Sequence, residues 1–222
     1  MKKYIIMGIL LVLATCLFSA NITAVIKDVS GKVEVMTPGG NWQKATEGME
    51  IETGYFISTG FRSEAVLTLG SSQVVVKQLT RMKLEELVEK EGTVSTSLNL
   101  RVGKIKAEVR TTAGLRQNFR LTSPVSTAAV RGTSFEYDGL NLTVTEGTVF
   151  FSNRLGQGRS IGKGEKSKIF GAGLPRSSEE MNILLANIDP STLTILKDLD
   201  LTTILDGLNN LTNVSIILNW GN

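Results

Sequence analysis

The sequence predicts a mainly β fold with a short helical C-terminal extension. From residue 22 to about residue 170, short runs rich in Val, Ile, Thr and Phe alternate with polar residues and are separated by glycine. That alternation is typical of half-buried strands. The runs recur about every eight to twelve residues, a spacing typical of a sandwich, barrel or roll. Helical periodicity is missing from the same region, so strands explain it best.

The length and composition agree with one folded domain plus appendages. A chain of 222 residues can bury a sizeable core. Hydrophobic residues make up 41% of the chain and charged residues 20%. These are the proportions of an ordinary folded protein rather than of a disordered or fibrous one.

The predicted strands follow one another along the chain. Between Val29 and Val35, apolar or small residues alternate with polar ones, and a turn follows at residues 38–40 before Trp42 opens the next segment. The further strand candidates are residues 65–69, 73–77, 82–88, 97–102, 104–110, 119–122, 134–137, 142–145 and 148–152. Residues 83–90 have helical propensity, but this segment is short, uncapped and between strands. It is therefore predicted as strand or loop.

The composition changes after residue 170. Residues 171–175 are linker-like, and Ser177 with Glu180 forms a capping box that predicts a helix to about Asn187. Asp189-Pro190 marks a second helix start, and leucines and isoleucines from residue 193 to 208 predict short amphipathic helices. Residues 214–220 are interpreted as a last strand or a docking segment. These helices are expected to pack on the β-domain or on one another, since their acidic charge disfavours an anionic membrane surface.

Residues 1–20 are interpreted as a signal peptide. Lys2 and Lys3 precede an apolar stretch at residues 4–14, and small Ser19 and Ala20 provide a cleavage site. Two alternatives remain open. In one, residues 13–16 are a lipobox and Cys16 becomes the lipidated N-terminus. In the other, the leader is not cleaved and anchors the protein in the membrane.

All three interpretations place the rest of the chain outside the cytoplasm, in the periplasm or cell envelope. The membrane is then reached only through a lipid anchor or an uncleaved leader. The predicted organisation is a leader at residues 1–20, a β-domain at residues 22–170, and a linker with a helical extension at residues 171–222.

The residue inventory disfavours several classes of function. Histidine is absent, which excludes histidine-based catalytic triads and imidazole zinc sites. Cys16 is the single cysteine, so no disulfide can form within the chain. Of the 24 basic residues, 22 remain without Lys2 and Lys3, against 21 acidic ones, and they are not clustered. Nucleic acid is therefore not expected as a partner, and neither an enzyme activity nor a cofactor or metal is predicted.

Two weaker patterns receive a structural interpretation. Ser160 and Lys163 have the spacing of a serine acyl-enzyme motif, but companion motifs are missing and the stretch is rich in glycine, so a loop is expected. Four aromatic residues cluster in the sequence and could line a sugar-binding face. For most of them core packing is the preferred interpretation. They are Trp42, Tyr55, Phe56 and Phe61.

Two segments carry a resemblance to a known family. The stretch 123–135 contains Val130-Arg131-Gly132-Thr133 and Phe135 and resembles the signature of FecR-type domains. The stretch 143–149, with Glu146-Gly147 at its centre, resembles that family's Val-x-Glu-Gly-x-Val hairpin. Residues from Gly31 to Leu69 also follow the family's order and spacing, so the resemblance covers roughly residues 22–170.

The resemblance implies antiparallel hairpins stacked into a twisted roll or solenoid-like body, with a β-sandwich as the alternative. We interpret the motif residues as structural. Gly132 is expected to adopt a backbone shape closed to other residues. Arg131 is expected to tie neighbouring carbonyls or the carboxylates of Glu136 or Glu146. Glu146-Gly147 is interpreted as a hairpin turn.

The resemblance also bears on function. FecR-type proteins are best known as sigma-factor regulators with a cytoplasmic domain before a membrane helix, whereas only Met1, Lys2 and Lys3 precede the apolar segment here. We therefore expect a FecR-like extracytoplasmic protein without the cytoplasmic anti-sigma region. The predicted function is a non-catalytic binding or scaffold module that contacts an envelope protein or peptidoglycan. The alternative is a periplasmic component of a FecR-type signalling system that acts with a separate membrane partner.

Overall fold

A computed structural model describes residues 22–111 and 114–186, which form a β-body that ends at Ser177 and a helix that begins at Ser178. The strands of the body are β1 (Ala24–Ser30), β2 (Val33–Met36), β3 (Trp42–Lys44), β4 (Glu50–Ile51), β5 (Phe56–Thr59), β6 (Glu64–Leu69), β7 (Ser72–Val76), β8 (Arg81–Lys90), β9 (Thr93–Val102), β10 (Ile105–Glu108), β11 (Arg116–Thr122), β12 (Ser126–Val130), β13 (Ser134–Tyr137), β14 (Asn141–Glu146), β15 (Thr148–Asn153), β16 (Gly158–Gly162), β17 (Lys166–Lys168) and β18 (Arg176–Ser177).

The strands form two nine-stranded sheets. Sheet A has the order β18-β17-β14-β13-β10-β7-β6-β1-β4, and sheet B has the order β16-β15-β12-β11-β9-β8-β5-β2-β3. The chain passes repeatedly from one sheet to the other and advances along both in the same direction. Neighbours in each sheet are therefore close in sequence, which is the arrangement of a solenoid and confirms the predicted solenoid-like β-body.

The inner faces of both sheets contribute to one hydrophobic core. Along most strands every second side chain is buried, as in β6, β9 and β13, because successive side chains point to opposite faces of a sheet. Edge-to-face aromatic pairs link the sheets: Phe119 with Phe135 at 6.5 Å, and Tyr137 with Phe151 at 6.2 Å between ring centroids. Burying a large apolar side chain contributes about 1.5–3 kcal/mol, so this shared core holds the sheets together.

Two local predictions differ from the structure. The run from Val29 to Val35 is not one strand: Gly31, with a φ of 74°, turns the chain from β1 in sheet A to β2 in sheet B. The pairing is also not wholly antiparallel, since β11 runs parallel to β9. The connection between those two strands passes through β10 in the opposite sheet, and such a long crossover permits a parallel pair.

Two other segments have clear outcomes. Residues 83–90 lie in β8, which confirms strand over helix; the register shift between Leu84 and Glu86 accommodates one extra residue there. Residues 160–162 belong to β16 rather than to a loop, because they pair with residues 148–150 of β15. The prediction of a glycine-rich loop was therefore wrong for Ser160, while Lys163 lies just after the strand.

The helix α1 spans Ser178–Ala186 and agrees with the start predicted from the capping box. Glu179 and Glu180 lie in its first turn, where the helix dipole favours negative charge. The predicted leader with Cys16, the helices predicted after residue 187 and the tail at residues 214–220 lie outside the described residues. Within the described part of the chain, no helix is long and apolar enough to cross a membrane.

Candidate functional site

The FecR-like signature forms a crossing between the two sheets. Val130 ends β12 in sheet B, Arg131 and Gly132 make the turn, and Phe135 lies in β13 of sheet A. Gly132 has a φ of 58°, the left-handed shape that glycine adopts without strain, as expected from the sequence. Val130, Thr133 and Phe135 are buried, whereas Arg131 and Gly132 are exposed.

The second half of the signature forms another crossing rather than a hairpin. Glu146 ends β14 in sheet A and Thr148 begins β15 in sheet B, so the hairpin prediction was wrong. The two crossings touch: the Thr133 hydroxyl donates to the carbonyl of Thr148 at 3.0 Å. A Cβ on Gly147 would lie 2.8 Å from the carbonyl oxygen of Gly132. Tight backbone packing therefore explains Gly147, and the left-handed backbone shape explains Gly132.

The charged residues of the signature point to different places. Arg131 lines a surface cleft with Thr111, Leu115, Arg116 and Gln117. Glu146 lines a second cleft of about 470 Å³, which also contains Glu108, Arg110 and Gly132. Among residues 22–111 and 114–183, no ion pair joins Arg131 to Glu136 or Glu146. We name the cleft beside Glu146 the signature cleft.

A larger cleft lies at the opposite ends of the same sheet A strands, and we name it the charged cleft. It has a volume of about 880 Å³. In β10 and β13 the register pairs Glu108 with Ser134 at the signature cleft and Ile105 with Tyr137 at the other end. The lining of the charged cleft comes from Ser30, residues 62–64 and 77–79, Gly103, Lys104, Glu136 and Asp138. Most of these residues lie in segments where the chain passes between the sheets.

The rim of the charged cleft is exposed and strained. Arg62 has a φ of 50° and Leu79 a φ of 54°, and both line the cleft. This left-handed region costs a residue with a side chain about 1–2 kcal/mol. Leu79 is 56% exposed and Phe61, next to Arg62, is 67% exposed. Unfavourable backbone shapes beside exposed apolar side chains are typical of binding surfaces.

Hydrogen bonds keep this strained rim in place. The Gln78 side chain accepts a bond from the Arg62 backbone N–H at 3.0 Å, and the Leu79 N–H donates to the carbonyl of Gly60 at 3.1 Å. Below the rim, the buried Thr80 hydroxyl accepts from the Lys104 N–H at 3.0 Å. The Arg62 guanidinium lies 5.3 Å from the centre of the Phe61 ring.

Charges of both signs line the charged cleft. Lys77 and Glu64 form an ion pair at 2.6 Å, and both side chains are about 40% exposed. The Asp138 carboxylate accepts from the backbone N–H groups of Leu140 and Asn141, at 3.1 and 2.7 Å. The remaining charged groups are Arg62, Lys104 and Glu136. Three cations therefore face three carboxylates, which suits a partner that carries both charges.

Beneath Asp138 lies a buried hydroxyl cluster. The Tyr137 hydroxyl is 2.7 Å from the Ser126 hydroxyl, and the Ser126 hydroxyl also donates to the carbonyl of Gly139 at 2.6 Å. Burial raises the pKa of Tyr137 above its ordinary value of 10.0. Through its bond to the Gly139 carbonyl, the hydroxyl cluster holds the turn at residues 138–140. Across the described residues, no group of three acidic, histidine or cysteine side chains is placed to hold a metal ion.

The four clustered aromatic residues separate in the fold. Tyr55 packs against the core, as preferred from the sequence. Trp42 and Phe56 lie half-buried, and each is paired with Met36 in its strand register. Phe61 is exposed in a turn, next to the cleft residue Arg62. Core packing was therefore wrong for three of the four, because each occupies an outward position of its strand or lies in a turn.

The residues of the charged cleft were not identified from the sequence. Arg62, Glu64, Lys77, Lys104 and Asp138 are ordinary surface residues in a linear view, since they come from four separate segments. One sequence signal that could have pointed to the charged cleft is Leu79, a leucine placed just beyond the predicted strand at residues 73–77. A leucine in a turn is unusual unless it packs or binds.

This chain is similar to one protein family and to solved structures. Residues 55–150 match the model of the FecR protein family. Two crystal structures of a proposed anti-sigma factor from Parabacteroides distasonis are similar at 14% identity, with TM-scores of 0.47 and 0.45. The similarity covers 58% of this chain and 62% of those chains. No curated protein matches. The comparisons therefore show a match to the FecR domain model at residues 55–150.

Proposed function

We propose that this protein is a non-catalytic module of the cell envelope that binds another envelope protein through the charged cleft. The observation that carries the proposal is a pair of exposed apolar side chains: Leu79 lines the cleft among residues of both charges, and Phe61 lies next to the lining residue Arg62. Apolar anchors supply much of the affinity of protein interfaces, and surrounding charges supply specificity.

The shape and chemistry of the charged cleft favour a protein partner. It is open, and its charged side chains belong to several different segments. A small anion or cation would need charge of one sign, whereas the cleft has three cations and three carboxylates. A polypeptide provides apolar side chains and charges of both signs together. An envelope protein therefore fits this surface better than a peptidoglycan chain does.

The extracytoplasmic location is part of the proposal. It is supported by the basic and apolar leader at residues 1–20 and by the FecR domain. The FecR domain also supports a second candidate function, a periplasmic signalling component that acts with a separate membrane partner. The two candidates use the same cleft and differ in the identity of the protein that occupies it.

Site-specific photo-cross-linking tests the cleft in cells of the native host. A photoreactive phenylalanine analogue replaces Phe61 in the full chain, and a parallel protein carries it at Leu155. Leu155 is 72% exposed but does not line the charged cleft. We expect a discrete cross-linked protein from position 61 and none from position 155.

A variant in the rim completes the test. Leu79→Ser in the position-61 protein should reduce the cross-link, because it removes the second apolar anchor. Equal cross-linking from positions 61 and 155 would contradict the proposal. If the captured protein is a membrane receptor or a sigma regulator, the signalling function is supported. If it is another structural envelope protein, the scaffold function is supported.

A further inference from the structure

We infer that the outer face of sheet B binds an anionic polysaccharide. The surface, which we name the cationic face, consists of Met36, Trp42, Phe56, Arg81 and Lys83. The strand registers align Trp42 with Met36, Met36 with Phe56, and Phe56 with Lys83. Four of these side chains, Met36, Trp42, Phe56 and Lys83, therefore form one row across β3, β2, β5 and β8, and Arg81 lies in the neighbouring row, opposite Ser58.

Aromatic rings hold the two cations of the cationic face, Arg81 and Lys83. The Arg81 guanidinium lies 5.1 Å from the centre of the Trp42 ring, and the Lys83 ammonium lies 5.6 Å from the centre of the Phe56 ring. Within the described parts of the chain, no ion pair joins Arg81 or Lys83 to a carboxylate. A cation over a ring is positioned but keeps its full charge. Both side chains are therefore ordered and electrostatically available.

The surrounding charges leave this surface positive. Glu34 lies opposite Lys44 in the strand register and forms an ion pair with Lys32 at 3.2 Å. On β8, Glu85 follows Lys83 but lies at the register shift, where β8 bends. The neighbouring carboxylates are thus fewer than the four cations of this region, Lys32, Lys44, Arg81 and Lys83. An anion is the complementary ligand.

The shape of the cationic face selects a linear polymer. Four neighbouring strands at about 4.8 Å spacing make a flat surface about 15 Å wide rather than a pocket. Trp42 and Phe56 are half-buried, so their rings do not project far enough to insert into a bilayer. Because Arg81 and Lys83 cover those rings, nucleic-acid bases cannot stack on them as single strands require.

An anionic polysaccharide meets the remaining requirements. Its repeated acidic groups can match Arg81 and Lys83, and its hydroxyl groups can bond to polar side chains between the rows. Ser58 lies between Glu34 and Arg81 in the register, and Asn99 lies opposite Lys83. The cationic face does not include the residues of the charged cleft. This inference is therefore independent of the proposed function.

Fluorescence titration with polygalacturonate tests the inference. Trp42 and Trp220 are the two tryptophans of the chain, so Trp220→Phe makes Trp42 the single reporter. In this background, Arg81→Gln with Lys83→Gln removes the two ring-bound cations. We expect saturable binding that weakens with salt, and about a tenfold loss of affinity in the double variant, equivalent to about 1.4 kcal/mol.

The matched control is Lys106→Gln with Lys166→Gln, which removes the same charge from the outer face of sheet A. Its affinity should stay close to that of the parent, as measured by calorimetry. The inference is overturned by an absence of binding, by equal loss in both double variants, or by equal binding of uncharged dextran. Stronger binding to oligothymidylate or to phosphatidylglycerol vesicles would also overturn it, in favour of those partners.

Discussion

The signature cleft and the charged cleft lie at opposite ends of β10 and β13, yet they are built differently. At the signature cleft, the crossings at Gly132 and Gly147 pack against each other, and the Thr133 hydroxyl bonds to the next strand. At the charged cleft, exposed Leu79 and Arg62 occupy unfavourable backbone shapes. At the first end the two crossings pack tightly against each other beneath the cleft, whereas the second end holds exposed groups in a costly arrangement.

This difference separates the residues that identify the family from those that suit binding. The signature residues Val130, Thr133, Phe135 and Gly147 contact one another or the core, so their chemistry is that of a scaffold. Phe61 and Leu79 lie outside the signature and face solvent. Changes at the signature cleft should therefore reduce stability, and changes at the charged cleft should alter binding with little loss of stability.

The largest effect is expected at Gly147. Its φ is 77°, and a Cβ would lie 2.8 Å from the carbonyl oxygen of Gly132 and 3.0 Å from the Thr133 hydroxyl. Gly147→Ala should lower the free energy of unfolding by about 3 kcal/mol or more, because strain and overpacking add. Urea denaturation measures this change.

Gly164→Ala is the matched control, since Gly164 has a similar φ of 81° but no atom within 4 Å of the added Cβ. It should cost about 1 kcal/mol, from backbone strain alone. Equal losses for the two variants would show that the contact between the crossings does not matter, and the comparison of the two clefts would fail.

Thr133→Val tests the hydroxyl at the same end. It removes the donor to the Thr148 carbonyl while keeping the side-chain volume. Thr133 is 2% exposed, so loss of this hydrogen bond should cost about 0.5–1.5 kcal/mol. Thr68→Val on the outer face of β6 is the control. If both variants unfold at the same urea concentration, the bond between the crossings contributes nothing.

Tyr137→Phe probes the packed layer beneath the charged cleft. Removing the hydroxyl should cost about 1 kcal/mol, because Ser126 loses a buried partner. Burial raises the pKa of Tyr137 in the folded state above 10.0, so folding favours the protonated phenol. The stability that the protonated Tyr137 hydroxyl contributes to the wild type is therefore complete below pH 10. It is lost as the pH rises through the folded-state pKa of Tyr137.

Urea denaturation of both proteins at about pH 8 and about pH 11 tests this linkage. The wild type should lose more stability over this interval than the Phe variant does. An equal loss in the two proteins would assign the alkaline sensitivity to other groups, such as lysines that deprotonate in the same range.

Leu79→Gly should have the smallest effect on the free energy of unfolding. Unlike the other substitutions, it should raise this free energy. Glycine removes the left-handed strain at a φ of 54° but has more freedom in the unfolded chain. The net result should be a gain of about 0.5–1 kcal/mol. The same variant should weaken capture of the partner at the charged cleft. Leu140→Gly, at an exposed turn residue without a positive φ, should instead destabilise the fold.

Much of the strand pattern could be predicted from the sequence. The alternation in β13 and β14 was visible because burial of one sheet face imposes a period of two on the residues themselves. The sheet that the chain enters after each turn could not be predicted. Gly31 and Gly147 each resemble a local interruption or a hairpin, but both send the chain to the opposite sheet.

The candidate site was predictable only in part. The signature residues were found and interpreted as structural, and Gly132 has the expected backbone shape. The charged cleft was missed, because Arg62, Leu79, Lys104 and Asp138 are brought together by the crossings and share no local pattern. The cationic face was missed for a similar reason: Trp42 and Arg81 are 39 residues apart in the chain.

The sequence by itself determined that this chain is mainly β, that glycines set many of its turns, and that histidine chemistry and a disulfide within the chain are excluded. These properties depend on single residues and their immediate neighbours. The tertiary structure decided which strands share a sheet, that β11 runs parallel to β9, and which charged residues meet. The physical reason is that strand pairing depends on the register with distant segments, whereas alternation records only which face is buried.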